Sequence, residues 1–213
     1  MPKTMTPPPD VQRFLLYDVS WQAYERMLRA LEERRRLRIT FDEGSLEIMT
    51  LSTGHERIKH LLGLLIFTLA EVLGKKIAGY GSITMKRRQR QKGLEPDECF
   101  WIQHEAMMRN KTGTFNPRKD PPPDLALEVE VTRSAINRMG IYAALKVPEV
   151  WRWRKGSLEV CFLDEKGKYR SEQTSHVFPG FAPAKLVPFV ELAKKDGEVE
   201  MVRAFRAWLS KKV

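Results

Sequence analysis

Three carboxylates share one face of a short strand in the segment Pro121 to Thr132, PPPDLALEVEVT. Side chains alternate between the two faces of a strand, so Asp124, Glu128 and Glu130 lie together on one side. The opposite face is apolar and consists of Leu125, Leu127, Val129 and Val131. Acids two residues apart are separated by roughly 6.5–7 Å, and burying them without partners costs several kcal/mol. A bound divalent cation or a set of basic partners would relieve that cost.

An edge strand with a wet acidic face is the alternative interpretation of this segment. The alternation of side chains by itself favours neither interpretation. The three prolines that precede Asp124 favour a fixed entry into the strand over a frayed edge.

A second acidic strand is predicted from Glu95 to Ile102, EPDECFWI, where Asp97 follows a proline as Asp124 does. If the two strands pair as neighbours, Asp97 and Glu128 can converge. Two carboxylates, a backbone carbonyl and waters form a suitable site for Mg²⁺ or Mn²⁺. Such an ion can activate water and stabilise a leaving phosphate oxygen.

The charge balance predicts a polyanionic partner, with nucleic acid as the first candidate. The chain has 37 Lys and Arg against 27 Asp and Glu, giving a net charge of +10. For the run KRRQRQK, contact with phosphate and a solvated surface are equally expected. Its basic residues are Lys86, Arg87, Arg88, Arg90 and Lys92. A second basic run is expected to be a solvated loop or helix end and consists of Arg34, Arg35, Arg36 and Arg38.

Length and composition predict one domain over residues 1–213, with a disordered proline-rich stretch at 1–10. The apolar content of 42% and charged content of 30% are typical of a globular chain. Neither a signal peptide nor a membrane-spanning apolar run is found. Cys99 and Cys161 show no metal-ligand spacing, so we expect a cytoplasmic protein with reduced thiols.

The first half of the chain predicts a helix, a hairpin and a core helix. Ser20 can cap a helix that runs to about Arg35. Two alternating runs then flank the turn Asp42–Ser45. Thr53 and Glu56 are spaced as a capping box at the start of the apolar core helix, which is expected to end at Gly74. This capping role would explain Glu56 without any catalytic function.

The second half predicts strands around one further helix. Strands are expected in 77–88 and 95–102, a loop from Glu105 to Lys119, and a helix capped by Thr132 or Ser134 that ends at Leu145. EVWRWR, SLEVCFL, GKYRSEQT and HVF then predict more sheet, and residues 189–213 a helical tail. The resulting α-β-β-β-α-β core has a mixed sheet with helices on its faces, an α/β or α+β fold.

Four segments in this order resemble the PD-(D/E)xK nuclease superfamily, most closely its Uma-two branch of small bacterial proteins predicted to be restriction endonucleases. They are LEIMTLSTGHERIKHLLGLLI, GLEPDECFWIQ, PPPDLALEVEVT and INRMGIYAALKVPEVWRW, and the resemblance covers residues 41–178. It implies a restriction-endonuclease-like core, a divalent metal ion and phosphodiester hydrolysis. It also suggests a homodimer, for which the sheet or the first helix could offer an apolar surface.

The resemblance also implies roles for individual residues. Asp97 matches the aspartate of the proline-aspartate motif, Glu128 the strand acid, and Asp124 a second aspartate of this branch. Glu56 matches an acid carried by a helix in the superfamily, and His55 stands where this branch often has a histidine. These matches make Asp97, Glu128 and Asp124 the expected metal ligands.

One departure concerns the lysine that usually follows the strand acid by two residues. Glu130 stands at that position and could add a further metal-facing acid. In the Uma-two branch a lysine generally lies on the next helix, four residues before a tyrosine, and counting back from Tyr142 gives Arg138. Arginine stays protonated and cannot act as a general base, although it can orient water or stabilise charge on a phosphate.

Three functional hypotheses follow. The first is a metal-dependent DNA endonuclease in which Asp97 and Glu128 hold the ion, His55 or Glu56 assists through water, and Arg138 replaces the lysine. The second is a nuclease-fold protein with little or no catalysis that binds nucleic acid or a protein partner. The third is a metal-binding domain without nuclease activity, whose basic surplus only aids solubility.

Overall fold

Two β-sheets and six α-helices form the protein, as described by a computed structural model for residues 11–31, 37–131 and 133–211. The strands are β1 (Arg13–Leu16), β2 (Leu37–Asp42), β3 (Ser45–Thr50), β4 (Ala78–Tyr80), β5 (Met85–Arg87), β6 (Lys92–Leu94), β7 (Glu98–Trp101), β8 (Leu125–Glu130), β9 (Glu149–Arg154), β10 (Ser157–Leu163) and β11 (Tyr169–Glu172). The helices are α1 (Trp21–Ala30), α2 (Thr53–Val72), α3 (Glu105–Met108), α4 (Arg138–Ala144), α5 (Val187–Asp196) and α6 (Glu198–Leu209), with 3₁₀ turns at Arg88–Arg90 and Pro183–Leu186. The predicted α+β, restriction-endonuclease-like fold is confirmed.

The five-stranded sheet is antiparallel and has the order β1-β3-β2-β6-β5. The predicted hairpin is confirmed, because β2 and β3 pair with Asp42 opposite Ser45. Glu43 and Gly44 form the turn with φ values of 47° and 92°, which matches the twist of the flanking strands. The ring of Tyr24 on α1 stacks on Phe41 with the centroids 4.7 Å apart, and this contact fixes the helix against the sheet.

The six-stranded sheet is mixed and has the order β11-β10-β9-β8-β7-β4. Strand β8 lies inside it, antiparallel to β7 and parallel to β9. The edge-strand interpretation of the acidic segment is therefore wrong. Leu125, Leu127 and Val129 are buried in the main core together with the apolar side chains of α2. Glu128 and Glu130 therefore lie on a strand that has hydrogen-bonded neighbours on both sides.

The N-cap of helix α2 lies one residue before the predicted cap, so the helix begins at Thr53 itself. Ser52 is the N-cap, and its Oγ accepts a hydrogen bond from the backbone N–H of His55 at 3.1 Å. The predicted capping box of Thr53 and Glu56 is wrong, since a preceding serine offers the same oxygen one position earlier. The carboxylate of Glu56 is instead 2.6 Å from Lys59 Nζ. This shift leaves Glu56 available for contacts outside the helix backbone.

Helix α4 begins later than predicted. Its N-cap is Asn137, whose Oδ1 accepts from the backbone N–H of Gly140 at 3.2 Å. The hydroxyl of Ser134 does not cap the helix, because it donates to Glu47 Oε2 at 2.5 Å. The other predicted cap, Thr132, lies outside the described residues.

Other boundaries differ in detail. The predicted loop from Glu105 contains the short helix α3, and the predicted first strand near 77–88 is divided into β4 and β5. The segment HVF at 176–178 is not a strand, because two of its backbone N–H groups donate to the buried carboxylate of Glu149. The predicted helical tail consists of α5 and α6, which begin at Val187. The expected stretch at 1–10 and Arg34 to Arg36 lie outside the described residues.

Among the described residues, none of the helices has the length and apolar character needed to cross a lipid bilayer. Both cysteines are free thiols, and Cys99 is buried.

Candidate active site

A cleft of about 370 Å³ lies beside the carboxyl end of β8. Its walls come from β2, the start of α2, the turn before β7, and the segment that connects β8 to α4. It brings together five of the predicted site residues, which are His55, Asp97, Glu128, Glu130 and Arg138. These residues are far apart in the sequence, so the pairing of β7 with β8 and the position of α4 create the cleft.

Asp97 is the most deeply buried acid of the cleft, with 2% of its surface exposed. Its Oδ2 accepts a hydrogen bond from the backbone N–H of Val129 at 2.7 Å. Its Oδ1 lies 3.1 Å from Nε2 of His55 and 3.5 Å from Nε of Arg38. Burial would raise the pKa of Asp97, but the hydrogen bond from His55 and the nearby arginine charges hold the pKa below its ordinary value. The carboxylate is thus kept ionised although it is inside the protein.

His55 connects Asp97 to Glu56. Its Nε2 faces Asp97, and its Nδ1 lies 3.3 Å from Oε1 of Glu56. Burial would lower the pKa of His55, but the two carboxylates raise it above its ordinary value. Burial would likewise raise the pKa of Glu56, whereas the hydrogen bond from Lys59 lowers it. Glu56 does not line the cleft and reaches it only through the imidazole.

Glu128 is held by Arg138 at both oxygens. Arg138 Nε lies 2.5 Å from Oε1, and Nη2 lies 2.9 Å from Oε2, which also accepts from the Tyr142 hydroxyl at 2.6 Å. The guanidinium donates further to Thr40 Oγ1 at 2.7 Å and to the carbonyl of Glu95 at 2.8 Å. Burial would lower the pKa of Arg138, but the charge of Glu128 raises it above its ordinary value. The predicted i, i+4 pair of Arg138 and Tyr142 therefore converges on one carboxylate.

Glu130 lies at the rim of the cleft and forms ion pairs with two arginines of β9. Its carboxylate bonds to the guanidinium of Arg152, and its other oxygen is 3.6 Å from Nε of Arg154. Both arginines line the cleft. Of the described residues, five arginines and three carboxylates line it, the arginines being Arg38, Arg133, Arg138, Arg152 and Arg154. The cleft is consequently a basic environment around recessed acids, which favours an anionic ligand.

Asp124 lies at the other end of β8, and the structure does not bring it to the other acids. Its Oδ2 accepts the backbone N–H groups of Ile102 and Gln103 at 2.6 and 2.9 Å. Its Oδ1 is 3.1 Å from Nδ1 of His104. These contacts fix the turn that follows β7.

The family assignment rests on a match along most of the chain. Residues 21–193 match the model of the Uma2 family, which carries the description "Putative restriction endonuclease". The chain belongs to the Uma2 family. This result confirms the resemblance and supports a nuclease at the level of the family. No curated protein matches the chain.

Sequence reasoning missed one residue that lines the cleft, Arg38, and one that supports its wall, Glu47. Arg38 was expected to be solvated, but it is 6% exposed, lines the cleft, and has an Nε without a hydrogen-bond partner among the described residues. Glu47 is buried and accepts from Ser134 Oγ and from the backbone N–H of Ala135 at 2.7 Å. The signal for both was available in the hairpin. Arg38, Thr40 and the cross-strand partner Glu47 form one polar face within apolar strands.

The residues of the cleft fit a divalent ion that completes its coordination with water and substrate. Asp97 and Glu128 supply hard oxygen ligands, and Mg²⁺ is usually bound through one or two carboxylates together with substrate phosphates. Across residues 11–31, 37–131 and 133–211, no three His, Cys, Asp or Glu side chains converge to form a metal site by themselves. Divalent metals are general in this family, and a dedicated protein cage is not the arrangement that this donor set could form.

The predicted basic run 86–92 is divided between ion pairs and a second cavity. Lys86 Nζ lies 2.9 Å from Oε1 of Glu25, and Lys92 pairs with Asp42. Arg87 and Arg88 instead line a cavity of about 490 Å³ that is separate from the cleft. The side chains of this run therefore differ in their availability to a phosphate group.

Proposed function

We propose that this Uma2 protein is a metal-dependent DNA endonuclease that hydrolyses phosphodiester bonds in the cleft of Asp97 and Glu128. One observation carries the proposal. Two carboxylates from the turn before β7 and from the adjacent strand β8 are buried at 2% and 8% exposure in one basic cleft. Keeping charged acids buried is costly, so a catalytic use explains their presence better than stability does. The family match supports the same activity class.

Each residue of the cleft has a role in this proposal. Asp97 and Glu128 would hold Mg²⁺ or Mn²⁺, with Glu130 at the rim, and the ion would supply an activated water and charge stabilisation at the leaving oxygen. His55 orients Asp97 and is itself oriented by Glu56 through Nδ1. Arg138 fixes the carboxylate of Glu128 and cannot serve as a base.

The proposal extends to how DNA and a second copy are bound. The basic run 86–92 would contact the DNA backbone through Arg87, Arg88 and Arg90, since its two lysines already have acidic partners. Association into a homodimer stays a prediction. The edge strand β1 offers an apolar surface for it, with Phe14 at 58% and nearby Tyr17 at 68% exposure.

Isosteric variants test the catalytic assignment. Asp97→Asn and Glu128→Gln remove one charge each while keeping the side-chain volume, so both should abolish cleavage of plasmid and oligonucleotide DNA in Mg²⁺ or Mn²⁺. Asp124→Asn is the matched control, because Asp124 is equally buried but lies outside the cleft. Unchanged cleavage by both cleft variants would remove this assignment.

Calorimetric titration with Mn²⁺ gives a second readout of the same variants. The wild type should show saturable binding, and Asp97→Asn should lose it while Asp124→Asn retains it. Equal binding by all three proteins would mean that the ion binds elsewhere.

A second candidate function is a nuclease-fold protein that binds DNA without cutting it. The observation that favours it is the guanidinium of Arg138, which occupies both oxygens of Glu128 where a lysine is usual. In that case DNA binding should persist in EDTA and weaken steeply with salt, and neither the wild type nor Arg138→Lys should cleave. Cleavage by the wild type would eliminate this candidate.

A further inference from the structure

Three cavities on this protein share lining residues in series. The cleft of about 370 Å³ shares Arg38 with a middle cavity of about 750 Å³. The middle cavity shares Lys86, Thr114 and Phe115 with the basic cavity of about 490 Å³. We call these three cavities together the groove. The groove includes the buried acids of the cleft at one end and Arg87, Arg88 and Arg118 at the other.

The acids at one end of the groove are recessed. Asp97 and Glu128 are 2% and 8% exposed, so a phosphate must enter the cleft to reach them. A rigid duplex presents its phosphates on a broad convex surface with the bases stacked inside. A strand with unpaired bases is flexible enough to enter a narrow cavity and to follow a curved path.

The middle cavity combines basic and apolar side chains. Its charged lining residues are Arg29, Lys59, Lys86 and Glu95, and its apolar surface includes Leu28 and Ile83. The two lysines are paired with Glu56 and Glu25, so Arg29 is the cation with no ion pair among the described residues. Phe115 is half-buried beside Trp101, with the ring centroids 6.2 Å apart and the ring planes tilted by 41°, and it also lines the cavity. Basic grooves with aromatic surfaces are typical of sites for single strands, because the phosphates meet cations and the unpaired bases stack on rings.

The far end of the groove has cations that are available to a ligand. Within the described part of the chain, no carboxylate lies within ion-pair distance of Arg87, Arg88 or Arg118, whereas Lys86 is paired with Glu25. Arginines without acidic partners can neutralise phosphates and release counterions. The two ends of the groove are thus suited to two parts of one polyanionic chain.

We propose that the groove binds single-stranded DNA, with the backbone at Arg87, Arg88 and Arg118, an unpaired base on Phe115, and a phosphate directed into the cleft past Arg38. The substrate class is therefore DNA with an unpaired strand, such as a single strand, a flap or an overhang, and not a blunt duplex. This inference rests on the proposed function, because it takes the cleft to be the place where the phosphodiester bond is hydrolysed. Its binding test does not depend on cleavage.

Fluorescence anisotropy in EDTA tests the preference directly. The probes are a labelled single-stranded oligonucleotide and the blunt duplex of the same sequence. We expect the single strand to bind at least roughly tenfold more tightly than the duplex, because stacking on the groove is possible only for unpaired bases. Equal or tighter binding of the duplex, or no binding of the single strand, would overturn the inference.

Two variants locate the binding. Phe115→Leu keeps an apolar side chain without a ring face and should weaken single-strand binding by about 5- to 150-fold, with duplex binding unchanged. Arg88→Gln, at an exposed position, should lower the slope of log affinity against log salt by roughly 0.7. Arg203→Gln on α6 lies outside the groove and is the matched control.

The variant outcomes are decisive even if the folding of Phe115→Leu is impaired, which thermal unfolding would detect. Unaltered single-strand binding by both Phe115→Leu and Arg88→Gln would overturn the inference. Single-strand binding without any cleavage would contradict the proposed nuclease activity and leave the inference standing. Cleavage with a preference for blunt duplex DNA would support the proposed nuclease activity and overturn the inference.

Discussion

Replacement of Arg138 separates its contribution to stability from its contribution to catalysis. The guanidinium donates to both oxygens of Glu128, to Thr40 and to the carbonyl of Glu95. Arg138→Lys keeps the charge beside Glu128 but cannot reach all four acceptors from a single ammonium group. Loss of the contacts to Thr40 and Glu95, at roughly 1–1.5 kcal/mol each, should lower the free energy of unfolding by about 2–3 kcal/mol.

Arg138→Met is the contrasting variant, because it removes the charge and keeps an extended side chain. It leaves the buried carboxylate of Glu128 without a cation, and removal of one partner of a buried ion pair costs about 3–5 kcal/mol. We therefore expect Arg138→Met to be less stable than Arg138→Lys. A lysine contacts Glu128 as a point charge and frees one carboxylate oxygen, so the cleavage rate of Arg138→Lys should equal or exceed that of the wild type.

Urea unfolding measures the free energy of unfolding of the two Arg138 variants, with the intrinsic fluorescence of the five tryptophans as the probe. Cleavage rates in Mg²⁺ measure the contribution of Arg138 to catalysis, at a temperature where both the wild type and Arg138→Lys are folded. An Arg138→Met variant as stable as the wild type would refute the assignment of a buried charge pair. A large loss of cleavage by a well-folded Arg138→Lys variant would mean that the guanidinium is specifically required.

Two further predictions concern the half-buried Glu98 and the buried Glu149. Burial raises the pKa of Glu98 to about 6 from an ordinary value of 4.5, so its stabilising effect is complete below about pH 4.5 and is lost as the pH rises through about 6. Glu98→Gln should then raise the free energy of unfolding by about 1 kcal/mol at alkaline pH, with partial exposure taken into account. At acid pH the substitution should leave the free energy of unfolding unchanged. An equal gain at both pH values in urea titrations would contradict the pKa argument. Glu149 accepts from the indole of Trp151 at 2.5 Å, from Ser175 Oγ at 2.7 Å and from two backbone N–H groups. In Glu149→Gln an amide NH₂ replaces one acceptor, so the free energy of unfolding should fall by about 3 kcal/mol; a change in thermal stability no larger than that of an exposed Glu191→Gln control would refute this view.

The parts of the fold that the sequence predicts are those determined by local pattern. The alternation of Leu125 to Glu130 gives a strand with one apolar face, and the turn after Asp42 requires positive φ values that Glu43 and Gly44 adopt. The convergence of Asp97 and Glu128 needed only one further assumption, that their strands are neighbours. Each of these steps depends on contacts within a few residues or on a single pairing.

The predictions that failed involve competition between nearly equivalent residues. Ser52 and Thr53 are both good helix caps, and the choice depends on which backbone conformation the preceding strand allows. Ser134 has capping chemistry but is already bonded to Glu47 from another sheet, so Asn137 caps α4. A sequence pattern ranks the candidates and cannot include a partner that is 87 residues away.

Arg38 shows how such a distant partner changes the chemistry of the cleft. It belongs to a charge run that local patterns assign to solvent, yet the pairing of β2 with β3 turns it toward Asp97. With Arg38 included, the described residues that line the cleft comprise five arginines and three carboxylates. Because like charges repel a cation at short range, a phosphate bound among these arginines would make the carboxylates more favourable for a divalent ion. Binding of the metal and binding of the DNA should therefore reinforce each other, as thermodynamic linkage requires of any such pair of ligands.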